Sequence, residues 1–272
     1  VQTPTIPFIK SDEEIQNYLE LGPMFGSVLY NTYKAISTKT IITPKQTLEF
    51  LTELSKDTFH GMKISFPFVN ETNYFDEKFN SIACISVNDV AGHGRYNKKF
   101  KETDIISVDF GITINRLNFD GAFTYGLEPW VYSPLKAIKN VTNTKCNTTK
   151  DISKIIQETA REEEVDIIAS IAGHGIGKKL HEPPIIHNAL GNFIPFDLIK
   201  GLCFCIEPLY VKRNIKKPLE LVKTYIDSDG WSIKTVDSQP ASHFETMYTI
   251  FNRKMVDLLD LSKWNLEEKR KK

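Results

Sequence analysis

The sequence predicts an α+β fold in which an antiparallel sheet is flanked by pairs of helices. Amphipathic helical patterns run over 11–36, 44–58 and 150–163. Segments rich in β-branched and aromatic residues recur at 82–88, 105–113, 118–125, 202–211, 231–236 and 243–251. The pair 105–113 and 118–125 is separated only by a short polar stretch, which is the pattern of a hairpin.

The first helix begins in the charged segment 10–22 (KSDEEIQNYLELG). The second follows the start signal Thr43-Pro44, because proline is tolerated in the first turn of a helix. The third has Asp151 or Thr149 near its N-cap. In the hairpin, Asn115-Arg116 forms the turn, and Asp109 and Asp120 lie eleven apart and symmetric about it, so a regular register is expected to oppose them. Opposed side chains have Cβ atoms about 4.5–5.5 Å apart, where like charges destabilise the pair unless a cation bridges them. A shifted register with two solvated aspartates is the alternative.

Three further positions carry the argument on. The segment 173–177 (GHGIG) is too rich in glycine for a helix, each glycine costing about 1 kcal/mol relative to alanine, and is expected to be a turn that presents His174. A second histidine, His181, follows seven residues later and precedes Glu182-Pro183-Pro184. Glu207 ends an apolar run and is stopped by Pro208, which has no amide for a strand ladder. Glu245 lies in the alternating strand 243–250. Asp109, Asp120, His174, Glu207 and Glu245 together make four carboxylates and one imidazole, a hard-oxygen set with one nitrogen that suits a pair of divalent ions at a hydrolytic centre.

Composition narrows the partners. The chain has 272 residues with Lys+Arg and Asp+Glu balanced at 34 each, so it offers no electrostatic case for a nucleic-acid or membrane partner. No linker or low-complexity stretch divides it, and one catalytic domain over 1–272 is expected, with 1–10 and 262–272 as peripheral tails. The basic run Lys269-Arg270-Lys271-Lys272 reads as solvated, with docking to an acidic surface such as ribosomal RNA as the functional alternative. No apolar segment has the form of a signal peptide or the roughly 20 residues of a bilayer span. The expectation is therefore a cytoplasmic protein with reduced cysteines, in which the sequons at Asn70, Asn140 and Asn147 are incidental. Cys203 and Cys205 share a strand face with Glu207, which suggests either a soft metal site or, by the usual habit of free cysteine, small buried hydrophobes. His60, His187 and His243 have no motif around them and are read as ordinary surface or core residues.

SVNDVAGHG at 86–94, VDFG with its partner FDGAFT, GHGIGKKLHEPP at 173–184, CIEP at 205–208, DGWSIKTVD at 229–237 and the FETMYT that follows resemble methionine aminopeptidase of type 1. The resemblance runs in order through nearly the whole chain. It implies a pita-bread fold with two pseudo-twofold halves around a dinuclear site, and action on the N-termini of nascent polypeptides and peptides; two divalent ions (cobalt, manganese, iron or zinc) and a monomer are expected. It also implies that Asp109, Asp120, His174, Glu207 and Glu245 are metal ligands and that His93 and His181 face the substrate. Cys84, Leu180 and Trp231 are nominated as the methionine pocket, with Phe66 or Phe68 as further walls. Some features depart from type 1: VDFG and FDGAFT read like the type 2 and Xaa-Pro branches, Thr246 stands where histidine is usual, Leu180 replaces an aromatic, and 65–80 does not align.

The expected reaction is removal of the initiator methionine when the second residue is small, by attack of a hydroxide held between the two ions on the scissile carbonyl. Glu207 carries the proton to the leaving amine, His181 binds the developing oxyanion and His93 the scissile amide. An Xaa-Pro peptidase and a non-enzymatic binding module that keeps the fold are the rivals.

Overall fold

The structure, a computed structural model, describes residues 7–73, 75–213 and 219–266. The basic run 269–272 lies outside the described residues, as do the first six positions. In chain order the main elements are α1 (Asp12–Ser37), α2 (Pro44–Thr58), β1 (Ile64–Ser65), β2 (Ala83–Val87), β3 (Val90–Gly92), β4 (Ile106–Ile114) and β5 (Leu117–Tyr125). Next come α3 (Ser133–Asn143), α4 (Thr149–Glu162), β6 (Val165–Ile168), β7 (Gly173–Gly175), β8 (Glu182–Ile186), β9 (Cys203–Ile206) and β10 (Leu209–Lys212). The last are β11 (Leu221–Val222), β12 (Thr224–Ile226), β13 (Ile233–Thr235), β14 (Ala241–His243), β15 (Thr246–Phe251) and β16 (Lys254–Asp257).

Local chemistry sets the helix ends. Ser11 and Glu14 form a reciprocal capping box at α1, each side chain taking the other's backbone N–H. Thr43 caps α2 ahead of Pro44. The cap of α4 is Thr148, and Asp151 is its reciprocal partner three residues on. Helix α3 was not expected from the sequence; it follows a 3-10 turn at Pro129–Tyr132 and buries Leu135, Ile138 and Val141.

Backbone hydrogen bonds join two halves of the sheet system, among them a bridge at Ala122. In the first half β4 pairs with β2 and β1 on one side and with β5 on the other. In the second, β16-β15-β9-β7-β8 form one sheet and β11-β6-β10-β14 another. Ala122 in β5 exchanges both backbone hydrogen bonds with Glu245, at 3.2 and 2.9 Å. This contact brings the hairpin against the chain between β14 and β15.

Three expectations are corrected. Asp109 and Asp120 are not opposed: Asp109 faces Ala122 and Asp120 faces Gly111. The two-residue turn pairs Ile114 with Leu117, so every partner lies two residues further along than opposition of the aspartates requires. They therefore sit diagonally, still on one face because the shift is even. Segment 173–177 is not simply a turn, since Gly173–Gly175 forms β7, hydrogen-bonded on both sides with a register shift at His174/Gly175. Missing Cβ atoms permit this, because one added at Gly173 would lie 2.3 Å from the Cys205 carbonyl and one at Gly175 2.2 Å from that of Pro183. The segments expected to be peripheral contribute buried side chains, namely Lys10, Trp264 and Leu266. Lys10 Nζ lies 2.6 Å from buried Glu182.

The segments 202–211 and 243–251 each divide in two, at Glu207-Pro208 and at Phe244-Glu245. β9 and β15 pair in one sheet, β10 and β14 in the other. Glu207 and Glu245 thus stand side by side where the chain crosses between sheets.

Candidate active site

All five ligand-type residues line one cavity, and four of them fall into close groups. One oxygen each of Asp109, Asp120 and Glu245 lie within 4.8 Å of one another, and so do a ring nitrogen of His174, the Cys205 sulfur and an oxygen of Glu245. Glu245 belongs to both groups. His174 Nδ1 is 3.0 Å from the Gly175 carbonyl, which can only accept, so Nδ1 carries the proton. Nε2 is left with its lone pair 3.7 Å from Glu245 Oε1 and 3.9 Å from Asp120 Oδ2. Among the described residues Glu207 belongs to neither group, and its Oε2 is 3.6 Å from His243 Nε2.

Burial dominates the electrostatics. Desolvation raises the Asp109 carboxyl to about 7. Asp120, Glu207 and Glu245 are also raised well above the carboxylate range, first by burial and then by one another's charge and that of Asp109. Asp109 Oδ1 and Glu245 Oε1 are buried without a hydrogen-bond partner. Buried orphan oxygens in a cluster of like charge are costly unless a cation satisfies them. The residues present therefore fit divalent ions.

These groups floor a cavity of about 450 Å³. Cys84, His93, Leu180, His181 and Trp231 all line it, together with Phe68. Phe79, which the sequence reading did not nominate, meets Trp231 edge-on at 4.9 Å. Phe66 packs instead on Phe110 in the core, 5.8 Å between rings, and is not among the lining residues. His93 adopts a left-handed backbone (φ 51°) and opens to the cavity, while protein on its other sides and the nearby His181 push its ring down to about 4. The His181 ring lies edge-on to His174 at 4.5 Å and its Nδ1 is 3.9 Å from Glu71 Oε2. A larger cleft, about 610 Å³ beside Thr142–Asn147 and Arg253–Met255, contains none of these residues.

Besides Phe79, the titratable residues His243 and Glu71 escaped the sequence reading. His243, taken as an ordinary surface or core residue, is buried but points Nε2 at Glu207. Its position two before Glu245 in an extended segment was the available signal. Glu71 lies in the segment that could not be aligned, and no local motif marks it.

Comparison with known proteins agrees with this geometry. The model of "Metallopeptidase family M24" matches residues 42–250. Methionine aminopeptidase of Aquifex aeolicus is 30% identical over 202 residues, covering 69% of this chain and 75% of that relative. Methionine aminopeptidase 1 of Bacillus subtilis is 31% identical over 183 residues, covering 61% and 68%. The crystal structure of methionine aminopeptidase from Thermotoga maritima superposes with a TM-score of 0.77 at 27% identity, covering 93% of this chain and 99% of that one. With its pita-bread architecture, its carboxylate-rich centre and these relatives, the chain belongs to metallopeptidase family M24 and, within it, to the methionine aminopeptidases, metal-dependent hydrolases that remove N-terminal methionine.

Proposed function

We propose that Asp109, Asp120, His174, Glu207 and Glu245 hold two divalent ions, drawn from cobalt, manganese, iron and zinc, and that the cavity above them takes the N-terminal methionine of a nascent polypeptide or peptide whose second residue is small. The observation that carries this reading is the pair of orphaned buried oxygens, Asp109 Oδ1 and Glu245 Oε1, at the floor of a cavity walled by Phe68, Leu180 and Trp231. Ions bound there acidify water and polarise a carbonyl. Glu207, whose carboxyl burial and Asp109 hold above its ordinary range, takes up the proton of the attacking water and delivers it to the leaving amine. His181, open to the cavity, donates to the developing oxyanion. His93, neutral at physiological pH, accepts from the scissile amide N–H.

The walls set the first residue. Unbranched methionine fits between Cys84, Leu180 and Trp231, whereas a charged side chain would be buried without a partner. The same reading places a monomeric single domain over 1–272 in the cytoplasm, meeting its substrates by transient contact with the ribosome, with no nucleic-acid substrate. Among the described residues no helix is long and apolar enough to cross a membrane.

The test is a matched pair of peptides, Met-Gly-Met-Met and Arg-Pro-Pro, given to metal-stripped protein reloaded with each metal in turn. Methionine is expected to be released faster, and only after reloading. Faster release of arginine would mark an Xaa-Pro enzyme and overturn the methionine pocket.

A further inference from the structure

Strand β9 carries two buried cysteines with different surroundings. Cys203 Sγ is 3.4 Å from the Thr249 hydroxyl. Cys205, opposite Met247 of β15, is one of the three residues whose ligand atoms cluster with His174 and Glu245. The Glu245 oxygen Oε1 is buried and unpartnered, and His174 spends Nδ1 on the Gly175 carbonyl, so its remaining lone pair is on Nε2. Nitrogen, sulfur and oxygen therefore surround one point, beside a second point surrounded by the oxygens of Asp109, Asp120 and Glu245. Ligand atoms bound to one zinc ion at about 2.0–2.3 Å can be no more than about 4.6 Å apart, so the first group closes with small side-chain rotations.

We propose that Cys205 is a thiolate ligand to the cation held beside His174 and Glu245, making the two metal positions chemically unequal: one N/S/O, the other all oxygen. This rests on the metallo-aminopeptidase reading and adds a ligand to its five. Ligation breaks the S–H bond, forms a sulfur–metal bond and releases the proton to solvent, with no change of oxidation state. A soft sulfur donor shifts the position towards zinc over manganese, while the all-oxygen position suits the harder ion.

The measurement is near-ultraviolet absorption and bound cobalt on the full chain, stripped and reloaded with cobalt(II). A thiolate-to-cobalt charge-transfer band is expected in the wild type, in Cys203→Ser and in Cys84→Ser, the last because Cys84 is the other thiol near the centre. Cys205→Ser should lose the band, and its zinc-to-manganese affinity ratio should fall at least tenfold. Bound cobalt without the band in the wild type, or a band that persists in Cys205→Ser, overturns the proposal and leaves the aminopeptidase reading standing. A wild type that binds no cobalt overturns both. Cadmium NMR of the wild type and of Cys84→Ser decides without altering Cys205: a resonance in the thiolate-ligated range in both supports the proposal, and its absence from either overturns it.

Discussion

Four carboxyl groups and several imidazoles share one buried volume, and burial acts on them in opposite directions. It raises Asp109, Asp120, Glu207 and Glu245 and lowers His174 and His243, each towards its neutral form. Neutral imidazoles are the form that binds metal or accepts a hydrogen bond, whereas the carboxyls must ionise to bind cations. Glu245 stands in both clusters and Asp109 in only one. Glu245→Ala should therefore retain no tightly bound ion and Asp109→Ala at most about one equivalent, as read by metal analysis after gel filtration. Two equivalents in either variant would contradict the shared-carboxylate arrangement. His181 stands in neither cluster, so His181→Ala should keep its metal and lose about 10²–10³ in kcat, the usual cost of removing one oxyanion donor. Loss of metal in that variant would make His181 a ligand.

At the level of elements, the site depends on strands that could not pack with ordinary side chains. β7 lies between β8 and β9 only because Gly173 and Gly175 bring no Cβ against the carbonyls of Cys205 and Pro183. Backbone atoms cannot rotate away as a flexible side chain can. Gly173→Ala should therefore displace β7, lowering stability by about 1–3 kcal/mol as overpacking does, and should weaken metal binding through His174. Urea unfolding and a metal titration measure the two effects, and an unchanged metal affinity would separate the strand from the centre. The hairpin illustrates what was legible at this scale. Alternating apolar residues and the polar Asn115-Arg116 marked both strands, but the register depended on left-handed φ values of 49° and 75° at those two residues. Nothing local in Arg116 announces a left-handed conformation.

Across the whole molecule, the centre makes stability depend on cations and pH. A carboxyl raised in the folded state binds a proton that the unfolded chain has released, so its contribution is present at low pH and lost as pH rises through the folded value. The lowered histidines work the other way: stability is gained as pH rises from the folded value of about 3 at His174 and His243 towards the ordinary value of about 6.5. The two trends oppose each other below about 6.5, and above it the carboxyls act alone. Metal-free protein should thus lose thermal stability as pH rises from about 6.5, through the Asp109 value of about 7 and beyond. Saturating divalent ion should abolish the loss, since cations replace the protons. Melting curves across pH, with chelator and with metal, test this. A flat profile in chelator would show that the carboxyls do not share one buried volume.

The sequence by itself determined which ligand-type residues to look for at one centre and the type of most elements around them, because carboxylates at strand ends, a glycine-flanked histidine and proline stops are local signals. The tertiary structure decided how these meet. Whether Asp109 opposes Asp120 or Ala122, that Glu245 bonds its backbone to Ala122, and that His243 and Cys205 border the centre all depend on contacts between residues far apart in the chain. Such contacts come from sheet register and from the crossing at Glu207 and Glu245. Periodicity along one strand fixes which face a side chain occupies, but it carries no information about which other strand that face will meet.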